Sequence, residues 1–198
     1  MQKKFLKILL RAAQTVFSFK ELVLIFKTDD VKSLKSQLNY YVKNGDFHHI
    51  RRGLYAKDVN YNRLEVATKI LTPSYISFET ILSAAGIIFQ YDSRIFVASY
   101  QSREITCEGQ TYIFRTLKPV ILTNSIGLEI LDNYSIASTE RAFLDVTYLN
   151  KQYHFDNLEP LNWDKVYEIL PIYGNNKSMK KRVDMYHKYY TQYKNEEK

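Results

Sequence analysis

The sequence predicts an α+β protein with a basic, helical N-terminal domain that closes in a hairpin, followed by a mixed domain with an antiparallel sheet and several helices. Three observations predict it. Apolar residues recur at helical spacing up to about residue 43, and two short strand-like runs then flank Arg51-Arg52-Gly53. From residue 61 helical and alternating stretches interleave. Charge divides at the same place: residues 1–60 carry 12 Lys and Arg against 5 Asp and Glu, and residues 61–198 carry 16 of each. The reading is therefore two domains, 1–60 and 61–198, with the junction near residues 57–62.

The first helix is expected over 2–14, where Phe5, Ile8, Leu9 and Ala12 make an apolar stripe and Lys3, Lys4, Lys7 and Arg11 lie off it. Ser18 and Glu21 have the spacing of a capping box, and Phe17 can staple onto Leu22, so a second helix starts at Ser18 and runs to about Lys27. A third starts near Thr28, with Asp29 and Asp30 in its first turn, and stops before Gly45. On it Val31, Leu34, Leu38, Tyr41 and Val42 share one side; Lys32, Ser33, Ser36, Asn39, Tyr40 and Lys43 spread over the other, with Lys35 at the boundary. Phe47–Ile50 and Leu54–Ala56 then form a hairpin. Three helices followed by a hairpin is the order of a winged helix-turn-helix.

In the second domain, Asn62 and Glu65 open a helix closed by Pro73, and Ser77 is expected to cap a helix over 78–85 that ends at Gly86. Strands are expected at Ile95–Tyr100, Glu104–Cys107 and Thr111–Leu117, with Glu108-Gly109 as a tight turn, and shorter ones at Val120–Leu122 and Tyr134–Ala137. Ser138 caps a helix to Leu149 with Ala142, Val146 and Leu149 on one face; a short helix covers 164–170. The last helix, from Ser178 to about Tyr193, carries Met179, Val183, Tyr186, Tyr190 and Tyr193 on one stripe.

A net charge of +7 concentrated in one segment calls for a polyanionic partner, nucleic acid or an anionic surface. The short polar and basic face of the third helix suits a major groove, so Lys32, Ser33, Lys35, Ser36, Asn39, Tyr40 and Lys43 are candidate DNA contacts. Arg51 and Arg52 at the hairpin turn are candidates for phosphates or a minor groove. Lys177, Lys180, Lys181 and Arg182 make either a second basic patch or a solvated helix face.

Other chemistries find little purchase. One cysteine, Cys107, excludes an internal disulfide, fits a reducing cytoplasm and reads as a core residue. No stretch of about 18 apolar residues exists, and the N-terminus lacks the apolar run of a signal peptide, so no membrane partner is expected. His48 and His49 are adjacent and point to opposite faces of a strand, so no metal is expected. No glycine-rich phosphate loop or nucleophile elbow is present, and no cofactor or catalytic residue is assigned. Glu140 and Arg141 read as helix-start and surface-pairing residues beside Asp145.

Three local marks carry a family resemblance: Arg51-Arg52-Gly53-Leu54-Tyr55-Ala56; Ser74-Tyr75-Ile76-Ser77-Phe78-Glu79-Thr80-Ile81-Leu82 followed by Gly86-Ile87-Ile88; and Ile136-Ala137-Ser138-Thr139-Glu140-Arg141-Ala142-Phe143-Leu144-Asp145. Over about residues 1–150 the chain resembles the AbiEi-type antitoxins of bacterial type IV abortive-infection systems. The resemblance implies an N-terminal winged helix that represses its own operon and a C-terminal α/β domain with antitoxin activity. It also implies a nucleotidyltransferase-like toxin as functional partner, without necessary direct contact. Two rivals accompany it: a winged-helix regulator whose C-terminal domain senses a ligand, and a DNA-processing enzyme, for which Asp132, Glu140 and Asp145 are the sequence-local carboxylates.

Overall fold

The chain opens with α1 (Gln2–Arg11), β1 (Val16–Ser18), α2 (Phe19–Phe26), α3 (Val31–Lys43), β2 (His48–Arg51) and β3 (Leu54–Ala56). It continues through α4 (Arg63–Ile70), β4 (Ser74–Ile76), α5 (Glu79–Ala84), β5 (Ile95–Ser99), β6 (Arg103–Cys107), β7 (Gln110–Thr116), α6 (Pro119–Leu122), β8 (Leu128–Leu131) and β9 (Tyr134–Ala137). It closes with α7 (Thr139–Leu149), α8 (Trp163–Ile169), a 3-10 turn at Leu170–Tyr173 and α9 (Lys177–Glu196). The structure is a computed structural model that describes residues 2–131, 133–174 and 176–196. Asp132 and the side chains of Lys3, Lys4, Phe5 and Tyr193 lie outside the described set. The architecture is α+β.

The first three strands form an antiparallel sheet in the order β1-β3-β2. Strand alternation divides its side chains between two cores. Phe17 and Tyr55 face the helices and join Leu9, Leu22, Leu34, Leu38, Tyr41 and Phe47 in one cluster. Val16, Leu54, Ala56 and Ile50 face the other way and belong to the larger core that contains Val66 and Ala67 of α4. Both faces of β3 are covered, so all three of its residues are buried. Large apolar side chains buried in this way contribute about 1.5–3 kcal/mol each.

Capping follows the sequence in most places. Ser18 and Glu21 make the full reciprocal capping box of α2. Ser138 accepts from the backbone of Arg141 at the start of α7, and Glu108 and Gly109 make the turn between β6 and β7 with φ of 48° and 76°. The third helix begins later than expected: Asp30 is its N-cap and accepts from Ser33 N, which leaves Val31 exposed rather than on the apolar face.

The second sheet is mixed, not antiparallel. Its order is β6-β7-β5-β4-β9-β8, with β5–β7 and β4–β9 parallel and the other pairs antiparallel. Two further expectations fail. Val120–Leu122 is helical, because Pro119 fits the first turn of a helix and Lys118 O accepts from Ile121 N and Leu122 N. Ser77 does not cap α5. That N-cap is Phe78 (φ 56°), which makes no side-chain cap bond, and the Ser77 hydroxyl instead donates to Asp145 at 2.8 Å.

Helix α7 is the spine of the second core. Every residue from Glu140 to Thr147 is buried, because α5, α8, α9 and β9 surround it. Arg141 and Asp145 are therefore core residues, not surface-pairing ones; both are fully buried. Met179 and Val183 seat α9 against this core, with Tyr186 donating to Tyr153 O at 2.6 Å.

Candidate nucleic-acid interface

Helix α3 is held from beneath. Leu34, Leu38 and Tyr41 are buried against Phe17, Leu22 and Tyr55, which fixes which face turns outward. The outward face carries Lys32, Ser33, Lys35, Ser36, Asn39, Tyr40 and Lys43, all exposed. Tyr40 is half exposed and its ring meets Tyr41 edge-on, with centroids 5.8 Å apart. The structure thus brings these seven expected residues onto one solvent face of one helix.

The hairpin turn is tight. Arg51 pairs with Leu54, so Arg52 and Gly53 alone make the reversal, and Gly53 takes the left-handed φ of 80° that the turn requires. Gly53 O accepts from Phe19 N at 2.8 Å, tying the turn to the start of α2. The two arginines are not equivalent. Arg52 is exposed, whereas a bulge between His49 and Arg51 turns Arg51 towards the second core. Arg51 is half buried, and its Nη1 is buried without an acceptor among the described residues.

The strand histidines separate as their adjacency dictates. His48 Nε2 lies 2.8 Å from Glu108 Oε1 and its ring stacks on Tyr61, while His49 packs against Tyr55 on the other face. Among the described residues no group of His, Cys, Asp or Glu is arranged to hold a metal.

The basic start of α9 divides too. Lys177, Lys180 and Lys181 are exposed, but Arg182 is a structural tie. Its guanidinium donates to the Thr147 carbonyl and to the Ser178 hydroxyl, both at 2.9 Å, and the Thr147 carbonyl belongs to the last turn of α7, where the macrodipole favours a cation.

Of the carboxylates considered for a DNA-processing site, the two within the described residues, Glu140 and Asp145, are each engaged in separate hydrogen bonds. Glu140 Oε1 accepts from Asn162 N at 3.2 Å. Asp145 accepts from the hydroxyls of Tyr75 (2.9 Å), Ser77 (2.8 Å) and Tyr173 (2.7 Å). Burial pushes the Asp145 carboxyl above the usual range, against the opposing pull of Arg141 and the three hydroxyls. Arg141 in turn donates to Ile121 O and Ile126 O, each at 2.7 Å, so the pair joins α7 to the backbone around α6.

Sequence reasoning missed the residues that join the N-terminal sheet and helices to the rest. Glu65, buried on α4, accepts from Thr15 N and Val16 N. Lys69 Nζ lies 2.6 Å from Glu21 Oε1, and Lys57 Nζ donates to Leu10 O and Ala12 O. The i, i+4 spacing of Glu65 and Lys69 was visible, but their partners are about 48–50 residues away. No protein-family model matches the chain, and no curated protein does. Among the described residues no helix is long and apolar enough to cross a membrane.

Proposed function

We propose that residues 1–60 are a winged helix-turn-helix that binds double-stranded DNA, and that the chain represses its own promoter as the antitoxin of a type IV, AbiE-like system. It acts without a catalytic step of its own. It opposes a nucleotidyltransferase-like toxin functionally, with direct contact not required. The observation that carries the DNA reading is the outward face of α3, where seven polar or basic side chains are exposed over an apolar inner face. The connectivity supports it: α3 is followed directly by the β2–β3 hairpin, and β1 between α1 and α2 completes the sheet as β1-β3-β2. In this reading α3 enters the major groove, Ser36, Asn39 and Tyr40 read base edges, and Lys32, Lys43 and Arg52 hold phosphates. The antitoxin assignment rests on the three marks by which the chain resembles the AbiEi-type antitoxins. The test is a gel-shift titration against the upstream DNA and a scrambled duplex at two salt concentrations. Tight, salt-sensitive and sequence-selective binding is expected; weak binding equal on both duplexes overturns the repressor assignment.

A further inference from the structure

A groove of about 760 Å³ runs between the start of α2, the β2–β3 turn, the end of α4 and Tyr100 beyond β5. Its lining is strongly one-sided in charge. Lys20, Arg51, Arg52 and Lys69 face it, against one carboxylate, Glu21. That carboxylate is already committed. Burial pushes its pKa up, but the bonds from Lys69 and from Ser18 N outweigh burial and hold it below the usual range, ionised and paired. Three cationic groups then remain without a carboxylate within the groove, and one of them, Arg51, has a buried Nη1 with no acceptor among the described residues. The exposed guanidinium of Arg52 and ammonium of Lys20 are the two of these cations fully open to a ligand in the groove.

We infer that this groove binds a small phosphate-bearing ligand, with pyrophosphate or a nucleotide as the chemical class. Arginine forks and an ammonium suit phosphate oxygens. Half-exposed Tyr100 offers a ring at one wall for a ligand that carries a base. A free ligand fits the placement better than a duplex does. The groove is concave, and Lys69, Ile70 and Thr72 come from the α4 side of the β1-β3-β2 sheet, whereas α3 covers the opposite face. Arg52 belongs both to the groove and to the turn assigned to DNA, so a bound phosphate engages a residue that the DNA reading also uses. The site itself does not depend on that reading.

Isothermal titration with inorganic pyrophosphate and with ATP tests this on the full chain. Saturable one-to-one binding is expected for the wild type. The exposed double variant Lys20→Gln/Arg52→Gln should weaken it by about ten- to hundredfold, the loss of one or two charge-assisted bonds. The control Lys32→Gln/Lys43→Gln on α3 should leave it unchanged. Absence of saturable binding overturns the inference, and so does equal weakening in both variants, which is diffuse electrostatics. If neither probe binds, the free-ligand assignment falls, and a loss of duplex affinity in Lys20→Gln alone, outside the proposed DNA contacts, then gives the groove to DNA phosphates. Binding of pyrophosphate by a protein that ignores duplex DNA keeps the groove and removes the DNA reading instead.

Discussion

Glu65 Oε2 accepts the backbone N–H of Val16 at 2.9 Å, so a carboxylate of α4 completes the edge of a sheet whose other face carries α1, α2 and α3. The same carboxylate takes Thr15 N and the Thr15 hydroxyl. Val16 is fully buried and sits at the start of β1, so its N–H has no access to water as a substitute. Glu65→Ala should therefore cost about 2–3 kcal/mol in urea denaturation, since hydrogen bonds to charged groups are the strong ones. Glu65→Gln keeps one acceptor oxygen and should cost less. A loss within the ~0.5 kcal/mol of an ordinary surface change would remove Glu65 from this role.

A second tie between the two cores responds to acid. Glu108, at the β6–β7 turn, accepts from Tyr61 OH at 2.6 Å and lies 2.8 Å from His48 Nε2. Burial raises its pKa, but these two bonds, with His48 and Arg63 charge, outweigh it and hold the carboxyl below the usual range. A carboxylate with a lowered folded-state pKa adds stability that is complete above its unfolded value, near about 4.3, and is lost as pH falls through the folded value. The stability difference between wild type and Glu108→Gln should thus be larger at about pH 7 than at about pH 3.5. Equal differences at both would show that the bonds do not favour the ionised form.

Local signals were legible in the sequence and non-local ones were not. Ser18/Glu21, Glu108-Gly109 and Ser138 each act within four residues, and each forms the cap or turn that its spacing implies. β1 and β4 are three residues long, too short for a period of two to register, and they exist because β3, β5 and β9 come from elsewhere to pair with them. Ser77 had the right residue type for a cap, yet its hydroxyl is claimed by Asp145, 68 positions on. At the candidate interface the exposed face of α3 was readable from helical spacing. The unequal fates of Arg51 and Arg52 were not, because the bulge that separates them depends on the pairing with Leu54.

The proposed DNA contacts separate into two measurable classes. Lys32, Lys43 and Arg52 are exposed cations, and each one that meets a phosphate should flatten the plot of log affinity against log salt by about 0.9 when changed to Ala, on cognate and scrambled duplexes alike. Asn39→Ala should behave differently. It should cost about 1–3 kcal/mol on the cognate duplex and leave both the scrambled duplex and the salt slope unchanged. If Asn39→Ala weakens both duplexes equally, it does not read bases and α3 is not the recognition element.

A buried ion pair lies at the heart of α7. Arg141 and Asp145 are one turn apart and fully buried, with Nε and Oδ1 separated by 3.5 Å. Their charges are only part of their work: Arg141 also holds two backbone carbonyls and Tyr75 OH, and Asp145 gathers Tyr75, Ser77 and Tyr173. Asp145→Leu leaves a buried guanidinium without its counter-charge and should destabilise by about 3–5 kcal/mol. Arg141→Met strands the carboxylate and should cost a similar amount. Joining Arg141→Met with Asp145→Leu removes both charges at near-constant volume, but orphans two carbonyls and three hydroxyls. The double variant should therefore remain less stable than wild type while losing clearly less than the sum of the single changes. A double-mutant cycle in urea measures the difference; strict additivity would mean that each side chain acts through its own hydrogen bonds and that the ion pair contributes nothing.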